Sequence, residues 1–122
     1  MKTKESPLQI KTEAYSGRIT RLYHYLLNTK NEKIMASQIY RSGTSIGANV
    51  AESRFAQSEA DFINKLSIAL KEAGETEYWL KSLYNAGLID TKGFDSMLID
   101  NTEIAKILVA SIKTMKKKLG KI

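Results

Sequence analysis

The fold is decided by the segment RSGTSIGANVAES, which spans residues 41–53. It contains few charges and many small residues, and helical patterns flank it on both sides. A glycine inside a helix costs about 1 kcal/mol relative to alanine, so the two glycines indicate that another backbone comes close here. We therefore predict a packing seam, a line of contact between helices. Its residues are Gly43, Ile46, Gly47, Val50 and Ala51.

Outward from this seam, apolar residues recur at helical spacing and predict four helices. Ser6 and Pro7 are suited to the N-cap and the first position of a first helix. Ser58 and Thr91 are predicted to cap the third and fourth helices, and Gly87 to follow the third. The predicted bounds are 7–28, 32–53, 58–86 and 91–119.

The fold class expected from four long amphipathic helices is all-α. The loops are short and no segment alternates as a strand does, so we predict one domain, residues 1–122, folded as an antiparallel up-and-down four-helix bundle. Several aromatic residues lie outside the main apolar stripes and favour self-association or partner binding. We refer to them as the aromatic set: Tyr40, Phe55, Tyr78 and Trp79.

Composition narrows the functional classes. The chain of 122 residues has no cysteine, which excludes disulfides, thiolate metal sites and cysteine nucleophiles. The N-terminal residues are not followed by the apolar segment of a secretory signal, and no run approaches the ~20 apolar residues of a membrane span. A cytoplasmic protein without membrane contact is therefore expected.

Positive charge is concentrated at the C-terminal end. The formal net charge is +6, and residues 113–122 contain five lysines and no acid. We call these residues the lysine cluster: Lys113, Lys116, Lys117, Lys118 and Lys121. They predict salt-dependent binding of RNA or DNA through phosphates, without sequence readout. The alternative is a solvated helix end, where lysines also suit the negative pole of the helix dipole.

No pattern of a catalytic, metal or cofactor site is found. Ala48-Asn49 follows Gly47, where a phosphate loop requires lysine and then serine or threonine. A two-iron site needs two Glu-x-x-His pairs, but His24 is the single histidine. We therefore predict no enzyme, no metal and no cofactor. Arg41 and Glu52, the charged residues that bracket the seam, are expected either to pair within the assembly or to face a ligand.

The sequence resembles the bacterial four-helix-bundle proteins of the 23S rRNA intervening-sequence (S23-like) family. The resemblance is carried by residues 41–52, by Phe62 with residues 65–72, and by residues 75–80, and it extends from about Ala14 to Lys117. Many members have glycine where this chain has Ser53. The resemblance implies a bundle that assembles as a homopentamer. It also implies a relation to the accessory proteins of diversity-generating retroelements, which associate with a reverse transcriptase and nucleic acid.

Two functional hypotheses follow. In the first, a non-enzymatic bundle binds RNA or DNA electrostatically, directly or as an accessory to a nucleic-acid enzyme. In the second, the chain is a structural or protein-interaction oligomer without a nucleic-acid role, and the aromatic set forms its subunit or partner surface.

Overall fold

The computed structural model describes residues 6–120, and all the regular structure in this range is helical. The helices are α1 (Pro7–Asn28), α2 (Ile34–Ser53), α3 (Glu59–Asn85) and α4 (Thr91–Lys118). Each helix contacts the next one in the chain, and α1 also contacts α4. The four helices therefore enclose one shared core.

Polar side chains cap three of the helices. Ser6 Oγ accepts a hydrogen bond from the Gln9 N–H at 3.1 Å, and Ser58 Oγ accepts one from the Asp61 N–H at 3.0 Å. The prediction that Thr91 caps α4 is wrong. Asp90 is the N-cap, because its extended backbone precedes the helix and its carboxylate accepts from the Gly93 N–H at 2.7 Å. Such bonds satisfy N–H groups that have no partner in the first turn.

The start of α2 differs from the expected position 32. Asn31 has a positive φ of 52°, and the helix begins at Ile34. Glu32 precedes the helix, and its carboxylate accepts hydrogen bonds from the N–H groups of Met35 at 2.8 Å and Ala36 at 3.1 Å. Glu32 therefore performs the capping role from outside the helix, which moves the first helical residue forward.

Both ends of α3 and the end of α4 differ from the predicted bounds by one residue, whereas both ends of α1, the end of α2 and the start of α4 agree with them. α3 covers Glu59–Asn85 and α4 ends at Lys118, against predicted spans of 58–86 and 91–119. Gly87 follows α3 with a φ of 75°. This left-handed conformation, which glycine adopts without steric cost, ends the helix as expected.

The core consists mainly of branched aliphatic side chains on the inner faces of the helices. Tyr15 is the largest buried side chain, and its hydroxyl donates to the Met97 carbonyl oxygen at 3.1 Å, which joins α1 to α4. Burial raises the pKa of this hydroxyl. The fully enclosed aliphatic residues include Ile19, Leu26, Ile39, Ile46, Leu66, Leu80, Leu83, Ile104 and Leu108.

Two further polar contacts between helices lie inside the core of residues 6–120. The hydroxyls of Ser42 in α2 and Thr76 in α3 are 3.0 Å apart. Asn101 in α4 is 1% exposed, and its Nδ2 donates to the Ala73 carbonyl oxygen of α3 at 2.9 Å. Its Oδ1 has no hydrogen-bond partner among residues 6–120. Both contacts join helices that are neighbours in the bundle.

Candidate nucleic-acid and interaction surfaces

The glycines of the packing seam face α1. A Cβ atom at Gly43 would lie 2.7 Å from Cδ1 and Cγ1 of Ile19, which is too close for unshifted packing. A Cβ atom at Gly47 would lie 3.0 Å from Ser16 Oγ and 3.2 Å from the Thr12 carbonyl oxygen. The missing side chains therefore allow α1 to approach α2 closely, while Ile46 is buried in the core.

Ala51 does not belong to this contact, and its assignment to the seam is wrong: it is exposed in the chain, whereas Val50 beside it is buried. The reason is geometric. With 3.6 residues per turn, each step of four residues rotates the position by about 40°. Two such steps from Gly43 turn Ala51 away from α1.

The charged residues that bracket the seam both contact α3. Arg41 Nη2 lies 2.5 Å from Glu75 Oε2, and Arg41 Nη1 lies 3.3 Å from Glu72 Oε2. Glu52 Oε1 lies 3.2 Å from Lys65 Nζ. Both side chains therefore pair within the chain, although not with each other. Glu72 and Glu75 are three residues apart, which puts both carboxylates on one helix face. This spacing is the sequence feature that could have predicted the partners of Arg41.

Hydrogen bonds shift the pKa values of Glu75 and Arg41. The Arg41 guanidinium, followed by the Trp79 indole N–H at 3.2 Å, holds the pKa of the Glu75 carboxyl below its usual value of 4.5. Hydrogen bonds to Glu75 and then Glu72 raise the pKa of Arg41. Both groups are therefore stabilised in their charged forms.

The four side chains of the aromatic set differ in how much of their surface is exposed. Phe55 is 81% exposed, Tyr78 61% and Tyr40 39%. Tyr40 packs its ring against Tyr23 of α1, with the centroids 4.5 Å apart. Trp79 is half-buried and packs against the core, so its assignment outside the main apolar face is only partly right. Within the aromatic set, Phe55 and Tyr78 are therefore the members most accessible to another molecule.

The lysine cluster covers the last turns of α4. Its four members within residues 6–120 are exposed: Lys113, Lys116, Lys117 and Lys118. Lys121 lies outside the described residues. None of the four lies within ion-pair distance of a carboxylate in the described part of the chain. Ile112 is buried, and Met115 and Leu119 are half-buried, so the helix anchors its apolar side while its lysines face solvent.

The end of the bundle that carries the cluster also includes the end of α2 and the start of α3. Arg54 and Glu59 line a shallow pocket together with Met115. Arg54 is exposed and adds a further positive charge there. Positive charge therefore predominates at this end, although Glu59 is close by.

Ion pairs between α1 and α4 were not predicted from the sequence. Arg18 Nη1 lies 2.6 Å from Asp100 Oδ2, and Lys11 pairs with Glu103. Hydrogen bonding to Glu103 raises the pKa of Lys11. These contacts join residues more than 80 positions apart, so no local pattern predicts them.

No group of three histidine, aspartate or glutamate side chains in residues 6–120 could hold a metal ion. In the same range, no helix has the length and apolar composition needed to cross a bilayer.

These features define a small four-helix protein with a glycine seam on α2 and a lysine-rich end on α4. The model of the 23S rRNA-intervening sequence protein family matches residues 8–110. The chain therefore belongs to that family.

One solved structure extends the comparison. It is the crystal structure of a protein of unknown function from the S23 ribosomal protein family of Bacteroides thetaiotaomicron VPI-5482. The sequences are 51% identical, the alignment covers 87% of this chain and 98% of the other, and the TM-score is 0.86. Among curated proteins, none matches this chain.

Proposed function

We propose that this chain is a non-enzymatic, cytoplasmic bundle protein that binds RNA or DNA electrostatically through the lysine cluster, either directly or as an accessory to a nucleic-acid enzyme. One observation carries the proposal. Four exposed lysines occupy the last turns of α4 without an ion-pair partner among residues 6–120. Their ammonium groups are available to phosphates.

Charge density gives the physical reason. Each phosphate that a lysine neutralises releases condensed counterions, which yields binding free energy that falls as salt rises. The sequence from Ile104 to the C-terminus contains no acid that would offset the cluster. The site lacks interleaved aromatic residues for base stacking, so contact with the backbone and little sequence preference are expected.

The proposed architecture is an antiparallel up-and-down bundle. Lys11 pairs with Glu103, whereas Arg18, which is later in α1, pairs with Asp100, which is earlier in α4. This order supports opposite directions for the two helices. The same order holds for the α2–α3 ion pairs, which are Arg41–Glu75 and Glu52–Lys65.

The proposed assembly is a homopentamer. Exposed large apolar side chains support self-association, the most exposed being Phe55 at 81%, Ile34 at 76% and Ile99 at 63%. Five copies of the lysine cluster would also concentrate the positive field and raise avidity. Mass measurement in solution tests the number of subunits.

The experiment on function compares two variants of equal charge. In the first, Lys116, Lys117 and Lys118 are replaced by glutamine. In the second, glutamine replaces three exposed lysines elsewhere on the surface, which are Lys30, Lys33 and Lys92. Each set removes three charges, so both variants have a formal net charge of 6 − 3 = +3. Binding of mixed-sequence RNA and DNA is measured over a range of salt concentrations.

The first variant should lose most of the affinity, and the salt slope of log K should fall by about 0.7 to 0.9 for each lost phosphate contact. The second variant should bind nearly as the parent does. Equal losses in both would mean that net charge alone drives binding. Absence of binding by the intact oligomer at low salt would reject the nucleic-acid function.

The alternative, a structural or protein-interaction oligomer, is favoured by one observation, the 81% exposure of Phe55. Phe55→Ser should weaken assembly or partner capture and leave the lysine cluster untouched. If this variant loses assembly while the parent never binds nucleic acid, the alternative becomes the better description.

A further inference from the structure

A pocket of about 360 Å³ opens between the start of α1 and the end of α2. All four helices contribute to its apolar walls, which are formed by Leu8, Val50, Phe62, Leu66 and Ile107. Pockets that bind small molecules measure about 300 to 1,000 Å³ and are mostly apolar with a few polar groups. This pocket is at the lower end of that range.

A glutamine that is buried for most of its surface lines the pocket. Gln9 is 5% exposed and is one of the lining residues. The backbone N–H of Gln9 donates to Ser6 Oγ, and its backbone carbonyl oxygen accepts from Thr12 Oγ1. No hydrogen bond joins its side-chain amide to any other residue in the range 6–120. The Gln9 amide carries both donors and an acceptor, so it can form a hydrogen bond with a polar group that enters the pocket.

The electrostatic sign of the pocket is positive. Arg54 lines it, is exposed, and forms no ion pair with a carboxylate of residues 6–120. The α1 N-terminus, with the positive pole of the helix dipole, also borders the pocket and has no acidic residue in its first turn. Among residues 6–120, the lining residues include no aspartate or glutamate. The charge therefore favours an anionic head group.

We propose that this pocket binds a small aliphatic carboxylic acid, with the carboxylate held by Arg54 and the Gln9 amide and the hydrocarbon chain packed against Phe62 and Leu66. Guanidinium and amide N–H groups donate to a carboxylate, and the former can do so with two bonds. The volume equals about twelve water molecules at about 30 Å³ each. This suits an acid of about eight carbons.

The test uses the full chain and sodium octanoate as the probe. Calorimetry measures its affinity for the parent, Arg54→Gln, Gln9→Leu and a matched control, Arg21→Gln, whose arginine is also exposed but lies outside the pocket. Octylamine is the probe of opposite charge. Octanoate should bind the parent and the control equally and Arg54→Gln about tenfold more weakly, as expected for a lost charge-assisted hydrogen bond. Gln9→Leu should also weaken octanoate, and octylamine should not compete.

Amide NMR spectra locate the binding. Shifts at Gln9, Phe62 and Ile107 support the proposal, whereas shifts confined to Phe55 and Tyr78 would overturn it. It is also overturned if octanoate does not bind at millimolar concentration, or if Arg54→Gln and Arg21→Gln weaken binding equally. Binding that emerges only after residues 1–5 are removed would assign the pocket to that segment instead.

Discussion

The two sides of α2 contact their neighbours by different physical means. Toward α1, Gly43 brings the helix backbone so close to Ile19 that a single added carbon would lie at 2.7 Å. Toward α3, polar pairs accompany the aliphatic core, with Arg41 paired to two glutamates and Ser42 beside Thr76. The glycine contact depends on excluded volume, whereas these pairs depend on hydrogen bonds and charge.

This difference determines how each side should respond to substitution and to solvent. Close packing cannot be screened by salt and leaves no room for a larger residue. A partly exposed ion pair contributes little, and salt or acid weakens it further. On the α1 side, substitutions should therefore change stability strongly and by the same amount at any salt concentration or pH. On the α3 side, their effects on stability should be smaller and should depend on salt and pH.

The largest effect is expected for Gly43→Val. The added side chain would collide with Ile19, which is fully buried and has no free space to move into. The free energy of unfolding should therefore fall by about 3 kcal/mol, at the upper end of the usual cost of overpacking. Chemical denaturation measures it. The matched control is Gly74→Val, where a Cβ meets nothing within 4 Å. The control should change stability by less than about 0.5 kcal/mol.

Adding Ile19→Ala to Gly43→Val tests the cause, because the smaller side chain makes room for the new one. The cost of the double variant should be clearly less than the sum of the two single costs. Additive costs would show that the seam is not a steric contact between these two residues.

An intermediate effect is expected for Thr76→Val. It removes a buried hydroxyl that lies 3.0 Å from Ser42 Oγ and leaves that group with a long 3.5 Å bond to the Ile39 carbonyl oxygen. The free energy of unfolding should fall by about 1 to 2 kcal/mol. Thr44→Val is the control, since the Thr44 hydroxyl bonds to Tyr40 within its own helix. Equal losses would mean that the bond between helices adds nothing.

The smallest effect is expected for Arg41→Gln, which should cost less than about 1 kcal/mol at neutral pH because the ion pairs are partly exposed. The pKa of Glu75 is lowered from 4.5 in the folded chain. Its stabilising contribution is therefore present above pH 4.5 and is lost as the pH falls through the folded value. Unfolding curves of parent and variant should converge in acid and in high salt, and a gap that persists would contradict this account.

Local sequence was sufficient where one residue determines a local geometry. Ser6 before Pro7 marks the start of α1, and the φ of Gly87 ends α3. Gly43 and Gly47 also predicted a close helix contact, since glycine inside a helix is otherwise unfavourable. Asp90 and Thr91 can both cap a helix, so their neighbouring positions led to an error of one residue.

The surfaces were less predictable because they depend on tertiary packing. A line of small residues at spacing four included Ala51, but helical rotation turns it to solvent. Trp79 was expected at the surface, yet it is half-buried and donates to Glu75. The partners of Arg41 and the pocket beside Gln9 arise from residues far apart in the chain, and no periodic pattern reports such distances.

The buried amide of Asn101 has a consequence for the uniqueness of the fold. Aliphatic residues recur at spacing four in α4, as at Ile104, Leu108 and Ile112, so a slide of α4 by one turn, about 5.4 Å, would keep aliphatic side chains on its inner face. Such a slide would break the hydrogen bond between Asn101 Nδ2 and the Ala73 carbonyl oxygen, and it would move Asp100 away from Arg18. The Asn101 amide and the α1–α4 ion pair thus favour one longitudinal alignment of α4, although Asn101 Oδ1 has no partner among residues 6–120.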